Sequence, residues 1–319
     1  MRYYSKFRIV IPKFQPLSKA SGIMISKPSE SVHPSVSDSV LHAKGQAMGS
    51  EWKEMEVDGA NKRTMPFRIY DGSNESKKAP VVLYFGGGAF LDKGRDEESP
   101  IARAFASSGA VVIEADYAGP SENVFPKALE FAFAALRCLS AKRKAYGGRR
   151  SLLLVAGEEA GGNVAAGVAL KARDQMPNEI DGQILLSPLI DPLMATVSFR
   201  EAQETGMRDR WTEGWSHYLG SGGGYCHPYA APSHCSRLSG VAPALILTSQ
   251  DDPLRDEAAD YAARLMAAGV RVRNRVLPAC QGWTQIYDAE ATADCVPPAE
   301  LRTEFENFVE GLENRTFCF

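Results

Sequence analysis

A glutamate stands at the position in this chain where the local pattern calls for a nucleophile. Residues 157–163 read Gly-Glu-Glu-Ala-Gly-Gly-Asn and follow the apolar run Leu152-Leu153-Leu154-Val155-Ala156. A buried strand that runs through small residues into a helix describes an elbow, a strained turn that lifts its central side chain above the sheet edge at a helix N-terminus. Such a turn ordinarily presents a serine, and here it presents Glu159. A carboxylate so placed can transfer a proton, attack an electrophilic carbon, or accept hydrogen bonds from the amides that surround such a turn.

Three more segments bear on the same site. They are Tyr84-Phe85-Gly86-Gly87-Gly88-Ala89-Phe90, the stretch from Asp116-Tyr117 to Phe125-Pro126-Lys127-Ala128, and Asp252-Pro253-Leu254-Arg255-Asp256-Glu257. With the elbow they recur in the order found in the hormone-sensitive-lipase-like esterases, and between roughly residues 80 and 285 the chain resembles that branch of the α/β-hydrolase superfamily. The resemblance implies an α/β-hydrolase fold with a central, mostly parallel sheet flanked by helices. It also implies a helical cap built from residues 1–50 and an insert near 192–220, on a core domain spanning 51–319.

The departures from the family pattern concern the reacting groups. The family uses a serine nucleophile, an aspartate, a histidine and a His-Gly-Gly-Gly oxyanion loop. Here the serine position is Glu159 and the loop histidine is Phe85. The segment Pro278-Ala279-Cys280-Gln281-Gly282-Trp283 aligns with the family's His-Gly-Phe, which puts Gln281 at the histidine position and leaves Asp252 as the retained member. All five histidines (His33, His42, His217, His227 and His234) precede Asp252, whereas the family's base follows its acid. Acyl transfer through a hydroxyl needs a base, and glutamine is not one.

On these residues the expectation is that ordinary esterase activity has been lost. The favoured reading is non-hydrolytic acid/base chemistry on a small hydrophobic metabolite (isomerisation, dehydration, decarboxylation or cyclisation), with secondary metabolism as a setting by analogy. Glu159 would transfer the proton, Gln281 and Asp252 would orient it, and the N–H groups of Gly87, Gly88 and Ala160 would hold an oxyanion or the Glu159 side chain itself. Phe85 and Trp283 would wall the pocket, and Glu158 would support the loop through hydrogen bonds. One alternative is a pseudohydrolase that acts as a receptor or carrier, as the plant gibberellin receptors, which resemble this family, illustrate. Another is a hydrolase in which Glu159 itself attacks carbon.

Composition excludes several other classes. The chain has 319 residues, 44% of them hydrophobic, with 36 basic and 39 acidic residues and a net charge of −3. Such a balance gives no nucleic-acid-binding surface, and no apolar run approaches the roughly 18 residues of a membrane span. The beginning of the chain lacks a secretory apolar core, so a cytoplasmic protein is expected; the basic residues Arg2, Lys6, Arg8, Lys13, Lys19 and Lys27 leave organelle targeting open. The six cysteines lie in no metal-binding spacing and read as reduced thiols, and neither a metal nor an organic cofactor is implied. Relatives of this kind often dimerise, which makes a homodimer one implication of the resemblance.

The elements that must position these residues follow from periodicity. Residues 52–58 and 65–71 alternate as an antiparallel pair around Asp58-Gly59. Strands are predicted at 81–84, 111–115, 151–156, 182–187, 244–249 and 272–277, with helices near 97–108 and from Ala258 to Ala268. Trp211, Trp215 and Tyr218 lie in the insert and are expected to pack the cap onto the body, while Asp256 and Glu257 are expected to serve a helix N-terminus.

Overall fold

The computed structural model describes residues 53–57, 63–74, 76, 78–91, 98–117, 124–201, 207–220, 224–279 and 299–314, with side chains described from residue 64 onward. By contacts the chain divides into Met1–Ser35 and Val36–Phe319, and all described residues belong to the second unit. The expected cap segment 1–50, together with Gln281 and Trp283, lies outside the described residues.

Eight strands form one sheet in the order β1-β2-β4-β3-β5-β6-β7-β8. They are β1 (Lys53–Val57), β2 (Arg63–Asp71), β3 (Val81–Phe85), β4 (Val111–Ala115), β5 (Leu153–Glu158), β6 (Gly182–Leu186), β7 (Ala244–Ser249) and β8 (Val272–Leu277). The β1–β2 and β2–β4 pairings are antiparallel, and all the others are parallel. Strands β3 to β7 are buried along their whole length, which is why they read as unbroken apolar runs rather than alternating ones. At the edge, β8 carries Arg273 and Arg275, which both pair with Glu304, and this charged pattern keeps an open edge from templating aggregation.

Seven helices complete the described fold: α1 (Pro100–Ser107), α2 (Lys127–Gly147), α3 (Glu159–Gln175), α4 (Val197–Glu201), α5 (Met207–Leu219), α6 (Arg255–Ala267) and α7 (Ala299–Asn314). Helix α1 starts where sequence rules place a start, with the Ser99 hydroxyl accepting from the Ala102 N–H and Pro100 opening the first turn. The predicted beginning near residue 97 therefore moves to Pro100. Helices α4 and α5 occupy the insert between β6 and β7, as expected for residues 192–220.

Helix α3 is the central helix, buried from Glu159 through Ala172. Its first turn is Gly-rich because it presses on the end of β3: a Cβ added to Gly161 would lie 2.1 Å from the Phe85 carbonyl oxygen and 2.5 Å from that of Gly86. Only hydrogen fits there, and this contact fixes the elbow against the Gly86–Gly88 loop. Gly161→Ala is accordingly expected to destabilise the fold by about 3 kcal/mol or more, since the obstruction is backbone on both sides. Urea unfolding of the purified variant checks this; a loss under about 1 kcal/mol would show that the elbow yields easily.

Candidate active site

The strands β3, β5, β6 and β7 deliver their C-terminal ends to one place, where open α/β sheets gather ligands. Four non-glycine residues adopt left-handed backbone there: Ala89 and Phe90 (φ 56° each), Glu159 (φ 50°) and Ser187 (φ 40°). Such conformations cost of order 1–3 kcal/mol each and persist where surrounding contacts over-determine them.

Glu159 is the centre of those contacts. It is 1% exposed, at the first position of α3. One carboxylate oxygen, Oε2, accepts from the Gly88 N–H at 2.5 Å and the Ala89 N–H at 2.9 Å. The other, Oε1, accepts from the indole Nε1–H of Trp211 on α5. The backbone carbonyl of Glu159 accepts from the Leu189 N–H at 2.9 Å, which ties the elbow to the segment after β6. Two amides and an indole converge on the side chain that the elbow presents, in the manner of an oxyanion hole.

Of the residues expected from sequence, Glu159 and Gly88 are brought together as foreseen. Gly87 is not a donor to this carboxylate, because its N–H is taken by Glu158 Oε1 at 3.2 Å. Ala160, buried next to Glu159, is not among the donors to this carboxylate from the described residues, which are Gly88, Ala89 and Trp211. Glu158 supports the loop, as expected. Phe85 lies fully buried at the end of β3 with its ring edge-on to Tyr117 at 5.9 Å, so it packs beneath the loop. The Tyr117 hydroxyl donates to the Gly86 carbonyl at 3.2 Å, and burial, then the charge of Glu159, hold this phenol well above its ordinary range.

Ala89 and Trp211 are site residues that sequence reasoning missed. For Trp211 a signal existed: Trp211, Gly214, Trp215 and Tyr218 share one face of α5, and all four are buried. The aromatics do pack the insert onto the body, with Phe90 stacked on Tyr218 at 4.2 Å and packed on Trp215 at 4.8 Å. Trp211 additionally spends its N–H on the elbow.

Asp252 sits past β7 and is 1% exposed. Its carboxylate accepts from the Ser187 hydroxyl and from the Leu254 N–H at 2.8 Å. It thus braces the strained Ser187 turn after β6 rather than touching Glu159. Asp256 and Glu257 do more than favour a helix N-terminus. Glu257 Oε1 accepts from the Ile190 N–H at 2.7 Å and Asp256 Oδ2 from the Ser198 N–H at 2.8 Å, which bolts the start of the insert to α6. Burial pushes Glu257 well above the carboxylate range. Among the described residues no group of His, Cys, Asp and Glu is arranged to hold a metal ion, and no helix is long and apolar enough to cross a membrane.

An eight-stranded sheet with an elbow after β5 and amide donors after β3 defines the α/β-hydrolase class. A family model described as alpha/beta hydrolase fold matches residues 82–281, and the chain belongs to that family. It is 34% identical over 214 residues to Carboxylesterase NlhH of Mycobacterium tuberculosis, covering 65% of this chain and 67% of that protein. It is 33% identical over 202 residues to Esterase LipI of the same organism, covering 62% and 63%. The chain therefore spans about two thirds of the length of these relatives. A solved structure titled Bacterial Heroin Esterase superposes with a TM-score of 0.71 at 28% identity, covering 85% of this chain and 89% of that one.

These relatives correct the functional expectation. An enzymatic role agrees with them, whereas lost hydrolysis, lyase, isomerase or cyclase chemistry, a pseudohydrolase receptor and the reading of a degenerate triad do not: the similar proteins are named carboxylesterase and esterase. The physical reason lies in how much of the machinery remains assembled. The elbow and two convergent amides are present at Glu159, and the buried aspartate after β7 is kept at the neighbouring Ser187 turn.

Burial also raises Asp252 from its ordinary value to about 6, against the opposing hydrogen bonds from Ser187 and Leu254. A carboxyl raised in the folded state binds its proton more tightly there, so its contribution to stability is complete below about pH 4 and is lost as pH rises through 6. Asp252→Asn, which imitates the neutral acid, is therefore expected to be more stable than wild type at pH 8, by up to about 3 kcal/mol, and no more stable at pH 4. Paired urea titrations at the two pH values test this. Equal stabilities at pH 8 would mean that Asp252 carries no buried charge penalty.

Proposed function

We propose that this chain hydrolyses carboxylic esters, with Glu159 acting as a general base on water at the position of the family's serine. The observation that carries the reading is the Glu159 carboxylate on the Gly88 and Ala89 N–H groups, in a fold whose relatives are named esterases. An ester carbonyl oxygen requires those same two donors when negative charge develops on it.

In the proposed cycle the ester carbonyl takes the Gly88 and Ala89 N–H groups. Glu159 swings about its Oε1 contact with Trp211, which frees Oε2 to accept a proton from water. The water oxygen bonds to the carbonyl carbon, its proton passes to Glu159, and the carbonyl π pair moves onto the oxygen held by the two amides. On collapse the bond from carbon to the alcohol oxygen breaks, and the proton on Glu159 passes to the departing alkoxide. No hydroxyl nucleophile, histidine or covalent enzyme ester enters this sequence. The substrate is a small hydrophobic ester, in keeping with the aromatic residues Phe85, Phe90 and Trp215 packed about the donor loop. Because a carboxylate is a stronger acceptor than an ester carbonyl, Glu159 competes with substrate for its own donors, and a high KM is expected.

The test is hydrolysis of para-nitrophenyl acetate by wild type and by Glu159→Gln, with folding of both verified by circular dichroism. The expected result is acceleration over buffer by wild type and a kcat lower by about 10²-fold in the variant. Equal rates, or no acceleration by wild type, would sink the proposal. Single turnover in heavy-oxygen water separates a base from a nucleophile: label is expected in the product acid and none in Glu159.

A further inference from the structure

Helix α5 is seated on the loop that supplies the amide donors. A Cβ added to Gly214 would lie 1.7 Å from the Ala89 carbonyl oxygen, so backbone rests directly on backbone. Trp211 precedes this contact and reaches Glu159, while Trp215 and Tyr218 follow it and pack against Phe90. The four residues fall at helical spacing on one face, the face that covers the site.

Trp215 is 2% exposed and Tyr218 is fully buried. Among the described residues, neither the indole Nε1 of Trp215 nor the hydroxyl of Tyr218 has a hydrogen-bond partner. Indole N–H and phenol O–H groups normally find partners when buried, and those of Trp211 and Tyr117 do. Two unpaired polar groups one turn apart, flanking the ring of Phe90 beside the donor Ala89, are placed to meet acceptors brought by a ligand.

The local charge restricts what that ligand is. Glu158 and Glu159 border the loop, and the Tyr117 phenol beside them is raised first by burial, then by Glu159, Tyr218, Asp116 and Glu158. An anionic acceptor would enter a field of its own sign, whereas a neutral oxygen would not.

We propose that Trp215 and Tyr218 recognise a neutral acceptor oxygen on the substrate, so that the favoured esters carry a second oxygen function, a ketone or an ether, close to the scissile bond. This names the substrate class for the ester hydrolysis proposed above and rests on that reading for turnover, though not for binding.

Two ester pairs test it: para-nitrophenyl levulinate against valerate on the acyl side, and methoxyethyl acetate against butyl acetate on the alcohol side. Wild type is expected to prefer the oxygen-bearing member of at least one pair by about tenfold in kcat/KM, the value of one buried hydrogen bond. Tyr218→Phe and Trp215→Phe are each expected to bring that ratio down, towards one when combined. Calorimetric titration with levulinamide and valeramide, which do not turn over, reads recognition alone. Selective levulinamide binding without hydrolysis of any ester would overturn the hydrolase reading and uphold the recognition site. Absence of preference in all three comparisons would overturn the recognition site, as would a preference that survives in the double variant. A shift in unfolding midpoint with unchanged ratios would assign both residues to packing alone.

Discussion

The site is organised by the need of one buried carboxylate for donors. Glu159 lies in a left-handed turn with almost no exposure and, among the described residues, with no cation on its carboxylate. Its charge is met by the Gly88 and Ala89 amides and the Trp211 indole. Those donors exist in the right places because Gly88, Ala89 and Phe90 all take positive φ, which turns successive N–H groups inward as an anion nest. Loop shape and elbow shape are thus two halves of one electrostatic arrangement, and neither has an obvious reason to be strained without the other.

The same interaction ties the insert to the core. Trp211 reaches the elbow, Gly214 lies on the Ala89 carbonyl, and Phe90 sits among Trp215 and Tyr218. At the other end of the insert, Asp256 and Glu257 of α6 hold the amides of Ser198 and Ile190. The insert between β6 and β7 is therefore clamped at both ends, by aromatic packing near the loop and by carboxylates near α6.

Much of this was legible from local sequence. The parallel strands declared themselves as unbroken apolar runs because burial on both faces leaves no reason for alternation, and the elbow was visible from Leu152 through Asn163. The Gly87 amide serves Glu158 rather than Glu159, since which amide faces a given oxygen depends on backbone torsions that motif matching does not convey. Trp211 was read as packing, correctly but incompletely: its hydrogen bond spans 52 residues of sequence. The functional expectation failed for a different reason. It passed from Glu159 and Gln281 at the family's serine and histidine positions straight to the absence of hydrolysis, whereas the similar proteins are named carboxylesterase and esterase.

Active-site residues are commonly retained at a cost in stability, and replacing them tends to firm up a fold. The three donors on Glu159 invert that relation here. Trimming its side chain would strand two buried amides and an indole N–H, each disfavoured by about 1–3 kcal/mol. A lineage carrying this glutamate is held to it by foldability as well as by chemistry, so a drift back to a small hydroxyl at the elbow would have to cross less stable intermediates.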